Sequence, residues 1–91
     1  MYNYFLSREA KEDLWRIYEF GVYRFGETQA DKYLILLNDC FTKIALNPFM
    51  FPVVIKYKDV ERFCVCGVDT IYFNINGNEI EIITIIGRQD F

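Results

Sequence analysis

Histidine is absent from this 91-residue sequence. Its absence removes the commonest general base near neutral pH and the commonest metal ligand, so imidazole chemistry is excluded. Proline occurs twice and glycine five times, too rarely for a loop-dominated or disordered chain. Cysteine occurs three times, as Cys40, Cys64 and Cys66. The odd number, and a start (Met1 to Phe5) without a basic n-region, lead to the expectation of free thiols in a reducing cytoplasm. The apolar runs are short and interrupted, so no stretch of about 20 residues reads as a membrane span.

A basic half is also missing. Residues 1–46 hold six Lys/Arg against seven Asp/Glu, and residues 47–91 hold four against six, giving a net charge of −3. A protein that grips a phosphate backbone by charge needs a basic face. Direct sequence-specific nucleic-acid binding by this chain alone is therefore not expected.

What the chain has is apolar mass. Apolar residues make up 53%, and the aromatics are nine Phe, seven Tyr and one Trp. That suffices for a single domain over residues 1–91, with enough left over to leave apolar surface outside the core and point to a partner.

Tyr2 to Leu6 reads as a short strand. Ser7 offers a helix N-cap with Glu9 in the first turn. Ala10, Leu14, Ile17, Tyr18 and Gly21 then recur at helical spacing, opposite Lys11, Glu12, Asp13, Arg16 and Glu19. The spacing predicts a helix to about Arg24, stopped by Gly26. A second helix begins near Glu27 or Thr28, with Ala30, Tyr33, Leu34, Leu37, Phe41, Ile44 and Ala45 as its apolar stripe. Asn47-Pro48 ends it. So short a joint implies an antiparallel helical hairpin.

The period then changes. Residues 62–66, 70–75 and 79–86 read as strands, and Val53-Val54-Ile55 leaves room for one more at residues 53–56. Asn76-Gly77 marks a tight hairpin of type I′. Glu79 and Glu81 alternate with Ile80 and Ile82, which puts the two carboxylates on the solvent side; Ile83 to Ile86, Thr84 excepted, looks buried on both faces. The fold class is α+β: an N-terminal strand and an antiparallel helical hairpin packed on a mainly antiparallel sheet of three to four strands.

This order of elements, with these residues, resembles the ParE branch of the RelE/ParE toxin superfamily of toxin–antitoxin systems. The residues concerned are Leu6-Ser7-x-x-Ala10-x-x-Asp13-Leu14, Tyr18, Arg24-Phe25-Gly26, Gln29-Ala30, Tyr33-Leu34 and Leu46-Asn47-Pro48. Arg62, Ile71-Tyr72-Phe73 and the run from Ile80-x-Ile82 through Ile85-Ile86-Gly87-Arg88-Gln89-Asp90 complete the set. It spans about 85 positions, and its weight lies in the order, since no single motif is specific. Asp69 and Gly87 stand where many members have histidine. The resemblance implies a toxin that binds and inhibits DNA gyrase, is neutralised by a cognate antitoxin (ParD-like or of another class), needs no cofactor and involves no membrane. A ribosome-dependent mRNA endonuclease like the RelE branch, or a non-toxic relative that only binds antitoxin, are the alternatives.

Site candidates follow from both readings. Arg62, Arg88, Gln89, Asp90 and Phe91 are the candidates for target contact; the plainer reading of the two arginines is a salt bridge to Glu61, Asp69 or Asp90. Phe49, Met50, Phe51 and Tyr57 cluster after the second helix. They are either an exposed surface for an antitoxin helix or extended segment, or core filling beneath a loop. A nuclease would draw on Lys56, Lys58, Arg62, Tyr72 and Arg88 to stabilise charge at phosphorus, whereas Lys56 and Lys58 otherwise read as a solvated turn. Cys64 and Cys66 share one strand face and read as small buried hydrophobes, because three thiols without histidine do not make a closed zinc site.

Overall fold

A computed structural model describes residues 1–87. Strand β1 (Asn3–Leu6) leads into helix α1 (Arg8–Phe25) and helix α2 (Glu27–Leu46). A single 3₁₀ turn (Pro48–Met50) and a loop then reach β2 (Arg62–Cys66), β3 (Asp69–Asn76) and β4 (Glu79–Gly87). The sheet order is β1-β4-β3-β2. β2, β3 and β4 are antiparallel neighbours, while β1 lies parallel to β4, with Asn3 opposite Glu79 and Leu6 opposite Ile82. The sheet is thus mixed at one edge, because the chain leaves β1 through a helical crossover before returning beside it.

Ser7 caps α1 by accepting from the Ala10 N–H at 3.0 Å, as its position in the sequence predicts. The same hydroxyl donates to the Ile83 carbonyl at 2.7 Å. Gly26 alone joins the helices, at φ 92°, a conformation that L side chains rarely adopt. A Cβ added at Gly21 would stand 3.3 Å from that of Ala30, so the two helices approach closely there.

The helices share the core unequally. α2 buries Ala30, Leu37, Cys40, Phe41, Ile44 and Ala45, whereas α1 buries only Ala10 fully. All of these except Ala30, which lies against Gly21, join one core with Cys64 and Cys66 of β2, Ile71 and Phe73 of β3, and Ile80, Ile82 and Ile85 of β4. Leu14, Ile17 and Tyr33 pack against the rim of that core.

Five expectations need correction. The hairpin between β3 and β4 is present, but its central residues are Gly77 and Asn78, since Asn76 pairs with Glu79. Only Gly77 has positive φ, which is the requirement of a II′ turn and not of I′. Residues 53–56 form no strand; Val53 makes one isolated bridge to Arg62. Ile86 is 45% exposed and Ile83 half-buried, because the helices cover only one side of the sheet and the register with β3 shifts at Tyr72/Phe73. Glu79 is exposed as expected, but Glu81 is half-buried beside β1. Lastly, Cys40 and Cys66 are joined by a disulfide, with Cα atoms 6.5 Å apart, leaving Cys64 as the one free cysteine. The pairing joins α2 to β2 across 26 residues of sequence, a proximity that linear spacing does not reveal. Cys64 and Cys66 are both buried, as their shared strand face implies.

Candidate interaction surface

The connection after α2 is held from β2. The Arg62 guanidinium donates to the Phe51 carbonyl at 2.7 Å and lies over the Phe49 ring, 5.2 Å from its centroid. The backbone adds Phe63 N–H to the Pro52 carbonyl at 3.1 Å and Val54 N–H to the Glu61 carbonyl at 2.8 Å. Arg62 therefore makes none of the salt bridges that its sequence neighbours offered among the described residues. A carbonyl and a ring take its fork because the loop folds back over β2.

This bracing divides the four apolar candidates of the loop. Phe51 packs edge-on against the buried Phe73 ring, at 6.0 Å, so for this residue the core reading holds. Phe49 and Met50 are 59% and 65% exposed. Tyr57 is 50% exposed and meets Tyr72 edge-on at 6.0 Å; Tyr72 in turn meets Phe63 at 6.3 Å. Ile55, between the two groups in sequence, is 96% exposed.

The nuclease candidates do not form one cluster. Lys56 lies over the Tyr57 ring at 6.0 Å, near Tyr72 through that ring, and Lys58 is exposed. Arg62 turns to the Phe49–Phe51 side, and among the described residues no hydrogen bond or ring contact joins it to Tyr72 or to either lysine. Arg88, Gln89, Asp90 and Phe91 lie outside the described residues. Among those described, no group of three or more Cys, Asp or Glu side chains is placed to hold a metal ion, and no helix is long and apolar enough to cross a membrane.

A second feature was missed by sequence reasoning. An open cleft of about 850 Å³ runs between the helical hairpin and the ends of β3 and β4, lined by Leu14, Ile17, Gly21, Tyr33, Leu37 and Val68 among others. At its sheet end the Tyr33 hydroxyl donates to Asp69 Oδ2 at 2.5 Å, lies 3.1 Å from the Cys66 carbonyl, and accepts from the Val68 N–H at 3.2 Å. Burial, followed by the Asp69 carboxylate that accepts its proton, pushes the Tyr33 phenol well above the ordinary tyrosine range. It is a neutral donor near pH 7 and not a base. The sequence signal was Tyr33 on a stripe of aliphatic residues, where a hydroxyl needs a partner.

The family model for the ParE toxin of the type II toxin–antitoxin system, parDE, matches residues 4–90. The chain belongs to the ParE toxin family. It is a toxin of a type II toxin–antitoxin system, and its partner is an antitoxin. The fold agrees: a solved chain titled "Chromosomal ParDE TA system from P. aeruginosa" superposes with a TM-score of 0.82 over 96% of each chain, at 20% sequence identity. No curated protein matches the sequence. Within this ParE-like toxin, the strand, hairpin and sheet stand as the resemblance implied, with Arg62 at the entrance to the sheet and Asn47-Pro48 at the exit of α2.

Proposed function

We infer that this ParE-like toxin acts by binding, that DNA gyrase is its target, and that its antitoxin covers the exposed apolar loop. It acts in the cytoplasm, where that target works. One observation carries the binding reading: Phe49, Met50, Ile55 and Tyr57 stand exposed on a loop that Arg62 braces from beneath. Large apolar groups on a rigid support are what a docking partner buries at its hot spots, since little conformational entropy is lost on binding. The separation of Arg62 from Tyr72 and the two lysines also favours binding, because transition-state stabilisation needs its charges converged on one phosphoryl group.

In this reading the antitoxin lays an apolar helix face or an extended segment across Phe49, Met50 and Tyr57 and shields the toxin from its target. Arg62, and Arg88 to Phe91 beyond the described residues, are the proposed target contacts. The test is purified toxin added to gyrase with relaxed plasmid. The expected result is loss of supercoiling or accumulation of cut DNA, relieved by antitoxin, with transcripts intact in a translating extract. Ribosome-dependent transcript cleavage with normal supercoiling would transfer the function to the nuclease reading. Neither effect, together with tight antitoxin binding, would mark a non-toxic relative.

A further inference from the structure

The Cys40–Cys66 pair is placed where it bears on the cleft. Cys40 lies on the buried side of α2 and Cys66 at the last position of β2. Gly67 and Val68 form the turn into β3, and Val68 and Asp69, the first residue of β3, line the cleft. That turn is tied to α2 a second time through Tyr33, whose hydroxyl reaches Cys66, Val68 and Asp69. Tyr33 and Cys40 are seven residues apart, two helical turns on one face of α2. One covalent and one hydrogen-bonded tie therefore hold the same sheet corner to the same helix face.

We propose that Cys40–Cys66 is a reversible redox site that takes a low-molecular-weight disulfide as its oxidant and clamps the β2–β3 turn to α2 as one wall of the cleft. In the reduced protein, local opening exposes one of the two thiols, with Cys40 the less buried. Its thiolate attacks the small disulfide, forming a mixed disulfide and releasing one small thiolate. The second cysteine, as thiolate, then attacks the protein sulfur of the mixed disulfide and displaces the second small thiolate. The two protein thiols lose two protons and two electrons, and the reagent is reduced to two thiols. An excess of small thiol runs the same steps backwards. Cys64 stays outside the exchange by position: it lies two residues before Cys66 on the same face of β2, and Cys66 is the one placed opposite Cys40.

The experiment equilibrates the full-length toxin in glutathione buffers from fully reduced to fully oxidised, quenches with acid, denatures and alkylates the free thiols. Intact mass and peptide mapping then report the bonds. The expected result is a reversible change from three alkylated cysteines to one, with Cys64 labelled and Cys40 linked to Cys66. The response should be lost in Cys40→Ser and retained in Cys64→Ala. Three free thiols in every buffer, a bond through Cys64, or a Cys40–Cys66 bond that no excess of glutathione opens would each overturn the proposal. Hydrogen exchange at the Val68 amide reads the clamp itself. Oxidation should slow it at least tenfold, and an unchanged rate would show that the bond does not hold the wall.

Discussion

Asp13 and Thr84 are bonded across 71 residues of sequence: Asp13 Oδ2 accepts the Thr84 hydroxyl at 2.7 Å. The same oxygen accepts the Ile85 N–H at 3.0 Å, while Oδ1 takes Arg16 at 2.7 Å. The geometry explains why a carboxylate on α1 is nearly buried. β1 ends at Leu6, opposite Ile82, so beyond that point the outer edge of β4 has lost its neighbour strand. Ser7 takes over at the Ile82 and Ile83 carbonyls, and Asp13 takes the next free donor, at Ile85. A helix side chain thus completes a strand edge that would otherwise leave a buried N–H unpaired.

Asp13→Ala should destabilise the fold by about 2–3 kcal/mol, since it strands the Ile85 N–H as well as removing a charge-assisted bond. Asp13→Asn keeps one carbonyl acceptor and should cost about 1 kcal/mol. Urea unfolding of the two variants measures the difference. Equal and negligible losses would show that water already serves this edge.

Gly67 has φ +59°, and a Cβ there would meet the Tyr33 ring at 2.6 Å. Gly67→Ala combines a left-handed backbone with a collision and should cost about 2–3 kcal/mol. Adding Tyr33→Ala removes the collision but not the backbone strain. The double variant should therefore fall short of the sum of the single losses by about 1 kcal/mol in a thermodynamic cycle.

The raised pKa of Tyr33 fixes the sign of a pH effect. The folded state holds the phenolic proton more tightly than the unfolded chain, whose tyrosines titrate near the ordinary value of 10.0. The Tyr33 contribution is therefore fully present below about pH 10 and is lost as pH rises toward the folded pKa. The urea midpoint should fall on the alkaline side of that value, and Tyr33→Phe should flatten the fall while lowering stability at neutral pH. An identical alkaline slope in the variant would remove Tyr33 as its cause.

Closing a loop of 26 residues' separation should make the oxidised protein about 3 kcal/mol more stable than the reduced one. Unfolding with and without reductant measures it. Cys40→Ser should abolish the dependence on reductant.

The antitoxin surface has its own test. Phe49→Ala should weaken antitoxin binding by at least about tenfold with little change in folding stability, because the ring is mostly exposed in the free toxin. Phe51→Ala should instead lower stability by about 3 kcal/mol, because its ring packs on Phe73. Calorimetric titration with the antitoxin and urea unfolding separate the two effects.

Local chemistry in the sequence determined most of the scaffold. Ser7 and Gly26 bound α1, Asn47-Pro48 ends α2, and the period-2 alternation from Glu79 to Ile82 sets which side of β4 faces the helices. Each of these signals acts within a few residues and is therefore readable along the chain. The same reading found the loop of Phe49, Met50 and Phe51, but could not divide it into exposed and packed rings.

Tertiary structure alone decided the rest. It brought Cys40 to Cys66, Asp13 to the uncovered edge of β4, Tyr33 to Asp69, and Arg62 to a carbonyl instead of a carboxylate. In every case the partner lies at least 11 residues away, and the choice among several possible partners is made by where packed layers place a strand end or a turn. A side chain's hydrogen-bonding type is written in its chemistry, whereas the group that satisfies it depends on which buried donors and acceptors the finished layers leave open.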